Sequence, residues 1–550
     1  MKKIISLICL LLIFVLVSCQ TTGEPSENIP SGGGNETVNP TVPNPTNPTE
    51  PNPEDDIYRN TFVQTETNYQ YLTLDKEVYT LTDDIVISIF NADKTDYVAV
   101  FDKDGEPGGP GTTHYKRNKL QGKTELTYNV ASMNLTPGEY SVCLYSSTSM
   151  FLYDRVVFHV WDGDETDYIP SNVVFNATND NIYRTSSITI TPSNSKELTY
   201  KIYWANNNER LSGYSPLDTV VKANSSTFTV NFKDNMYPPR EATQVEVWVM
   251  DGKSTSYFVD IDKSFLLEKS KYLFNFQVFS DVHSDVSEFT WNSHFKTALI
   301  DVMRLSGNSS ALFITGDSTN FGSQTCYDLL TETLNTYIPK DGPTVYIAMG
   351  NHEYQYYESK GFDVAKNYFF EKTGNDSIYY SVEINGCKFI VMGSESLNKA
   401  GYMSDAQFAW FEDELKSVDK NKPTFVFMHQ PMANTVSGMS SGLEAGGYAN
   451  VATELRDLLK NYPNLYLFTG HTHITYETEK TAVFGKGSDA NFVNDGAIAY
   501  LNDENYNEII GSLGLFVEVY EDYVMINGRN FYTGEWVAEG MFVNPIYSVN

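Results

Sequence analysis

Five short apolar runs in the second half of this 550-residue chain each end in a cluster of Asp, Asn or His. Run 274–280 leads into Asp281-Val282-His283, 311–315 into Gly316-Asp317, and 344–349 into Gly350-Asn351-His352-Glu353. Run 424–428 leads into His429-Gln430-Pro431, and 464–468 into Thr469-Gly470-His471-Thr472-His473. Continuous runs of this kind read as parallel strands buried on both faces, and α/β folds place ligands at the carboxyl ends of such strands. Five of only eight histidines sit at these ends. The pattern predicts a layered α/β fold with polar side chains converging at one edge of its sheets.

Imidazole nitrogen and carboxylate oxygen suit divalent transition ions. The candidates are Asp281, His283, Asp317, Asn351, His429, His471 and His473. They are too many for one ion and fit two that share a carboxylate. Amphipathic stretches at 287–306, 406–418 and 449–462 alternate with the strands, an extra strand pair is expected at 378–384 and 387–392, and strands at 513–521 and 523–529 close the chain.

In series, Asp-x-His, Gly-Asp, Gly-Asn-His-Glu, His and Gly-His-x-His resemble the calcineurin-like metallophosphoesterase superfamily, over about half of the chain. The resemblance implies a mixed α/β sandwich for residues 264–550. It implies that Asp281, His283 and His473 hold one metal, that Asn351, His429 and His471 hold a second, and that Asp317 bridges them. His352 would stand beside the site as proton donor or electrostatic partner of the phosphoryl group, with Glu353 orienting it. The cofactors would be two divalent transition ions (Mn, Fe, Zn or Ni), and the reaction attack of a metal-bridging hydroxide on a phosphodiester or phosphomonoester. Gly-Asp-Ser-Thr-Asn and Asp-x-His look most like the branch with class III cyclic-nucleotide phosphodiesterases. Purple acid phosphatases have a glycine where His283 stands, and exported 5′-nucleotidases need a C-terminal domain larger than the residues after His473.

The net charge of −32 opposes binding to nucleic-acid polymers, which needs several Lys/Arg–phosphate contacts. Metal ions would supply the local attraction for an anionic ester. Lys2 and Lys3, the apolar stretch 4–17 and Leu16-Val17-Ser18-Cys19 form a secretory signal that resembles the bacterial lipobox. That resemblance implies residues 1–19 as a signal with a lipidated Cys19, and an extracytoplasmic lipoprotein anchored to a membrane. Residues 20–58 carry Gly32-Gly33-Gly34 and closely spaced prolines with no Lys or Arg before residue 58, the composition of an unfolded stalk. Cys143, Cys326 and Cys387 are too few for a disulfide framework, although a Cys326–Cys387 bridge stays open.

Residues 59–162 and 163–263 each show short alternating strands punctuated by turns, and so read as two all-β sandwich modules. Their rhythm resembles immunoglobulin or fibronectin type III domains. The fold class is therefore multidomain, two β-sandwich modules followed by an α/β phosphoesterase domain. Tyrosine-rich strands leave a glycan or cell-surface contact open, and the alternative function is adhesion through the β modules. His294, in the helix after the first motif, reads as solvated.

Overall fold

The computed structural model describes residues 69–549, except 106, 108–112, 180–183, 268–269, 396–399 and 439–449. Cys19 and the 20–58 stalk lie outside the described residues. The described residues all fall within one compact unit, Asn52–Asn550. No described helix is long and apolar enough to cross a membrane.

Two β layers come first. Tyr71–Leu74, Asp84–Phe90 and Glu125–Asn129 form a three-stranded antiparallel sheet. A five-stranded sheet accompanies it, in the order Val78–Thr80, Leu152–Trp161, Gly138–Tyr145, Tyr97–Asp102, Lys116–Lys119. The alternation of Asp84–Phe90 sends Ile85, Ile87 and Ile89 into the core with Val98, Val142 and Phe158. A second sheet pair repeats this plan. Phe228–Asn231, Arg184–Thr191 and Asn172–Asn179 pair in one sheet. The other centres on Leu198–Asn206 and Gln244–Asp251, and Trp204, Tyr200 and Val247 fill the core.

From Tyr272 the pattern becomes α/β. One six-stranded sheet runs Thr344–Ile347, Ala311–Ile314, Tyr272–Phe279, Leu513–Tyr520, Tyr523–Asn530, Glu535–Pro545. The other runs Tyr380–Ile384, Cys387–Val391, Thr424–Phe427, Leu465–Thr469, Asn491–Asn494, Ala482–Val483. Phenylalanines from both sheets make one core, in which Phe276 meets Phe425 at 4.8 Å and Phe313 stacks on Phe427 at 4.0 Å. Burial of this inner face by a second sheet, and of the outer face by helices, is why the strands are apolar throughout. Phe289–Ser306, Gln324–Tyr337 and Phe362–Thr373 pack on the first sheet, and Asp405–Lys416 and Ala452–Leu459 on the second. Ser323 and Ser404 cap their helices, each hydroxyl accepting a backbone N–H three residues on.

Both β modules are fastened to the α/β part. Thr297 Oγ1 donates to Leu152 O at 2.7 Å, and Arg304 pairs with Asp154 at 3.1 Å. The Arg155 guanidinium lies 3.9 Å over the Tyr532 ring, whose hydroxyl donates to Asp104 O. The second module adds backbone bonds to the last strand, Ser215 N to Trp536 O at 2.9 Å and Val543 N to Asn235 O at 2.9 Å. Ala538 of that strand lies inside the module's own core. The C-terminal strand thus completes a core that begins as far back as Tyr168, so the second module and the α/β part are packed as one body.

Candidate metal centre

The five motifs follow five strands whose carboxyl ends point the same way: Tyr272–Phe279, Ala311–Ile314 and Thr344–Ile347 are parallel in one sheet, Thr424–Phe427 and Leu465–Thr469 in the other. At these ends the backbone enters an unusual conformation. Asp281 (φ 51°), His283 (47°), Asp317 (47°), His471 (69°) and His473 (55°) all adopt the left-handed region. Non-glycine residues rarely do so, and they cluster at functional sites where the surroundings over-determine them. The surroundings here are backbone bonds to neighbouring loops: His283 N to Asp317 O at 2.9 Å, Ala499 N to Asp281 O at 3.0 Å, and Asn502 N to His473 O at 2.7 Å. The motif glycines give the room. A Cβ on Gly316 would lie 2.7 Å from the His429 ring, and one on Gly470 would strike Ser280 Oγ.

The donor atoms converge in overlapping groups. Those of Asp281, His283 and His473 lie within 4.8 Å of one another, as do those of Asp317, His429 and His471, and of His283, Asp317 and His352. His473 Nδ1 faces Tyr500 O at 3.0 Å and donates its proton there, which leaves a bare Nε2. That Nε2 stands 3.3 Å from His283 Nε2 and 3.0 Å from Asp281 Oδ1. Asp281 Oδ2 accepts from Ser280 Oγ and His471 N, whereas Oδ1 is buried without a donor. A bare imidazole nitrogen beside an orphaned, buried carboxylate oxygen is the environment of a cation. Across the site, His429 Nε2 is 3.0 Å from Asp317 Oδ2 and 3.3 Å from His471 Nδ1. Asn351 is buried, its Oδ1 accepting from Gln430 Nε2 at 3.3 Å.

Charge is distributed accordingly. Burial opposes ionisation of Asp281 and Asp317, but the neighbouring histidines hold both well below the usual carboxylate range. Burial likewise opposes a charge on His429, yet Asp317 and Asp281 push it up to about 9. His471 is pushed down to about 3 by burial and by His429. The two carboxylates thus favour positive charge in the space between them and the histidines.

Residues 274–475 match the family model for calcineurin-like phosphoesterases. The stretch begins in the first motif strand and ends just past His473. With the His/Asp groups it supports a metal-dependent phosphoesterase. No curated protein matches the chain. Among solved structures, a BSP domain of a biofilm-associated protein is 16% identical over 35% of this chain and 30% of its own, with a TM-score of 0.14. A Salmonella α-2-macroglobulin mutant is 13% identical over 35% of this chain and 14% of its own, with a TM-score of 0.15. A cold-active protein-tyrosine phosphatase of a Shewanella species is 12% identical over 57% of this chain and 98% of its own, with a TM-score of 0.24. TM-scores this low carry no argument. The chain thus spans under a third of the length of the first two.

Several side chains of the α/β part act differently from the sequence expectation. Glu353 does not touch His352. Its buried carboxylate accepts from Gly350 N at 2.8 Å, Asp317 N at 3.2 Å and Thr319 N at 3.0 Å, so it ties the second motif loop to the third. His352 is held instead by Asn320 O, which lies 2.8 Å from its Nδ1 and accepts that nitrogen's proton. Its ring stands edge-on to His283, centroids 4.5 Å apart, with Nε2 3.9 Å from Asp317 Oδ2. His294 is buried rather than solvated, its Nδ1 2.8 Å from Ala499 O, and burial pushes it down to about 4. Asp495, which the pattern of motifs does not single out, accepts from Thr315 Oγ1 at 2.8 Å, and burial raises its carboxyl far above the usual range. Cys326 and Cys387 are both free thiols.

Proposed function

We propose that this protein is a two-metal phosphoesterase, tethered outside the cytoplasm, that hydrolyses a phosphodiester in preference to a monoester. The overlapping His/carboxylate groups carry the reading, because Asp281, His283, Asp317, His429, His471 and His473 bring their donor atoms together in buried or half-buried positions. In this reading Asp281, His283 and His473 hold one ion, Asn351, His429 and His471 the other, and Asp317 touches both. Two such ions, when bound, lower the pKa of water toward about 7 and clamp the attacking and leaving oxygens of an in-line displacement. The chain supplies only two carboxylates to that cluster, Asp281 and Asp317, so the site stays electropositive inside an acidic protein and draws in a phosphate ester.

His352 does the proton work. Its Nδ1 proton is fixed on Asn320 O, so in the imidazolium form the second proton is on Nε2, facing the opening. From there it passes to the departing oxygen, a contribution of typically about 10²–10⁴-fold. The lipid on Cys19 and the 20–58 stalk would keep this chemistry at a membrane, with the β modules between stalk and catalytic domain along the chain.

The test is turnover of bis-p-nitrophenyl and p-nitrophenyl phosphate by Mn²⁺-loaded protein, beside metal analysis. Metal-dependent release of nitrophenol, lost in Asp317→Asn, with about two ions per chain, is expected. Bound metal with no turnover of either ester refutes the proposal.

A further inference from the structure

The walls of the centre are unequal. On the His283/His473 side stand two large rings that belong to none of the five motifs. Tyr500 lies 4.2 Å from the His473 ring and 6.0 Å from that of His283. Trp291 lies 5.8 Å from His283 and 5.2 Å from Tyr500, tilted 31° to it. Both rings are half-buried, like His352 and His471, whereas Asp281, His283, Asp317, His429 and His473 are buried. The His283/His473 side of the centre therefore carries two half-exposed aromatic rings.

The pair is held as one unit. Trp291 and His294 are three apart on the helix Phe289–Ser306 and so share a face. His294 Nδ1 reaches the carbonyl of Ala499, next to Tyr500. The Tyr500 loop is pinned further by Ile498 N to Ser280 O at 3.0 Å and by its own carbonyl, which accepts from His473 Nδ1. A single buried histidine thus clips the element carrying one ring to the element carrying the other. The Tyr500 carbonyl alone already orients His473.

We infer that Trp291 and Tyr500 form a specificity shelf for the organic group of the ester, and that this group is a ring with a flat apolar or π face, a nucleobase or a sugar, rather than a short alkyl chain. The inference rests on the phosphoesterase reading of the same centre. Aromatic rings bind such faces by stacking, with little demand on substituents, and the gain per base is about 1–3 kcal/mol by alanine substitution. About tenfold in affinity follows for the half-exposed Trp291, taking the lower part of that range.

Direct binding tests it, without relying on turnover. The Mn²⁺-loaded full chain is titrated calorimetrically with methyl phosphate, phenyl phosphate, adenosine 5′-monophosphate and a hexose phosphate. The ring-bearing ligands are expected to bind about tenfold more tightly than methyl phosphate, and Trp291→Leu to abolish the difference while leaving methyl phosphate unchanged. Trp291→Phe restores most of it. The stronger of the adenosine and hexose arms identifies which kind of ring the shelf takes. Equal affinity for methyl and ring-bearing phosphates in the unaltered protein overturns the inference alone. So does a Trp291→Leu loss that is the same for all four ligands, which is the mark of a merely structural ring. Failure of every phosphate to bind the metal-loaded protein overturns the phosphoesterase reading and the shelf with it.

Discussion

Gly350 offers the sharpest perturbation of the centre. A methyl group on its Cα would lie 2.5 Å from the backbone nitrogen of Asp317 and against that residue's Oδ1. Ordinary contact begins near 3.4 Å. The Asp317 loop must therefore retreat by roughly 1 Å, a displacement able to cost about 10²-fold in rate even when it arises away from the chemistry. Retreat is resisted on both sides. Glu353 holds Gly350 N and Asp317 N with the same carboxylate oxygen, and Asp317 O is bonded to His283 N. Gly350 is not among the left-handed glycines, so alanine brings a clash without backbone strain. The expected result for Gly350→Ala is a folded protein whose kcat/KM on bis-p-nitrophenyl phosphate falls about 100-fold, equivalent to about 2.7 kcal/mol of transition-state stabilisation. Metal content should fall with it. Gly138→Ala is the control, since a Cβ there meets nothing nearer than 3.7 Å. Activity within about threefold of the unaltered enzyme, with full metal content, would refute the argument that Asp317 is positioned by this contact.

Three other outcomes follow from the same structure. With no metal bound, Asp317 and Asp281 overcome burial to push His429 up to about 9, so near pH 7.5 metal uptake must displace that proton. Calorimetry in buffers of different ionisation enthalpy should report about one proton released per chain, and His429→Gln should remove it. Burial opposes the charge of Glu139, but Lys103, Lys201 and His159 hold it down to about 2. The folded value lies below the ordinary glutamate value of 4.5, so this stabilisation is complete above about pH 5 and fades as pH falls toward 2. Glu139→Gln should flatten the urea-unfolding stability profile in that window by about 2 kcal/mol, discounted for partial exposure. Phe313→Ala opens the inter-sheet core where Phe313 stacks on Phe427, and should cost about 3–5 kcal/mol in the same experiment.

The centre is legible in the sequence because each donor lies within five residues of the end of a doubly buried strand, and such strands announce themselves as unbroken apolar runs. Run 274–280 and the strand Tyr272–Phe279 differ only at their ends. What the sequence hides is whatever depends on distant partners. His294 looks like a polar residue on an amphipathic helix, and only Ala499, 205 residues away, makes it a buried clip. Glu353 sits beside His352 in the chain, but its geometry carries it under the neighbouring loop to Asp317 and Thr319. Trp291 and Tyr500 belong to no motif and meet only in the folded chain. The strand Glu535–Pro545 is concealed by its charged and glycine residues and reveals itself by what it completes on either side.

The left-handed backbone at Asp281, His283, Asp317, His471 and His473 bears on how such a chain would age. Each of these residues forgoes roughly 1–2 kcal/mol that glycine would recover, and asparagine also tolerates the conformation. Chemistry and fold stability therefore pull in opposite directions at five positions. Once selection for hydrolysis lapses, substitutions to Gly or Asn at these five sites become stabilising rather than neutral. A related chain that has kept the sandwich but lost the reaction should betray itself there first. A chain that keeps Asp and His at all five is still bearing the strain, and a chain under no demand to turn over substrate has no reason to bear it.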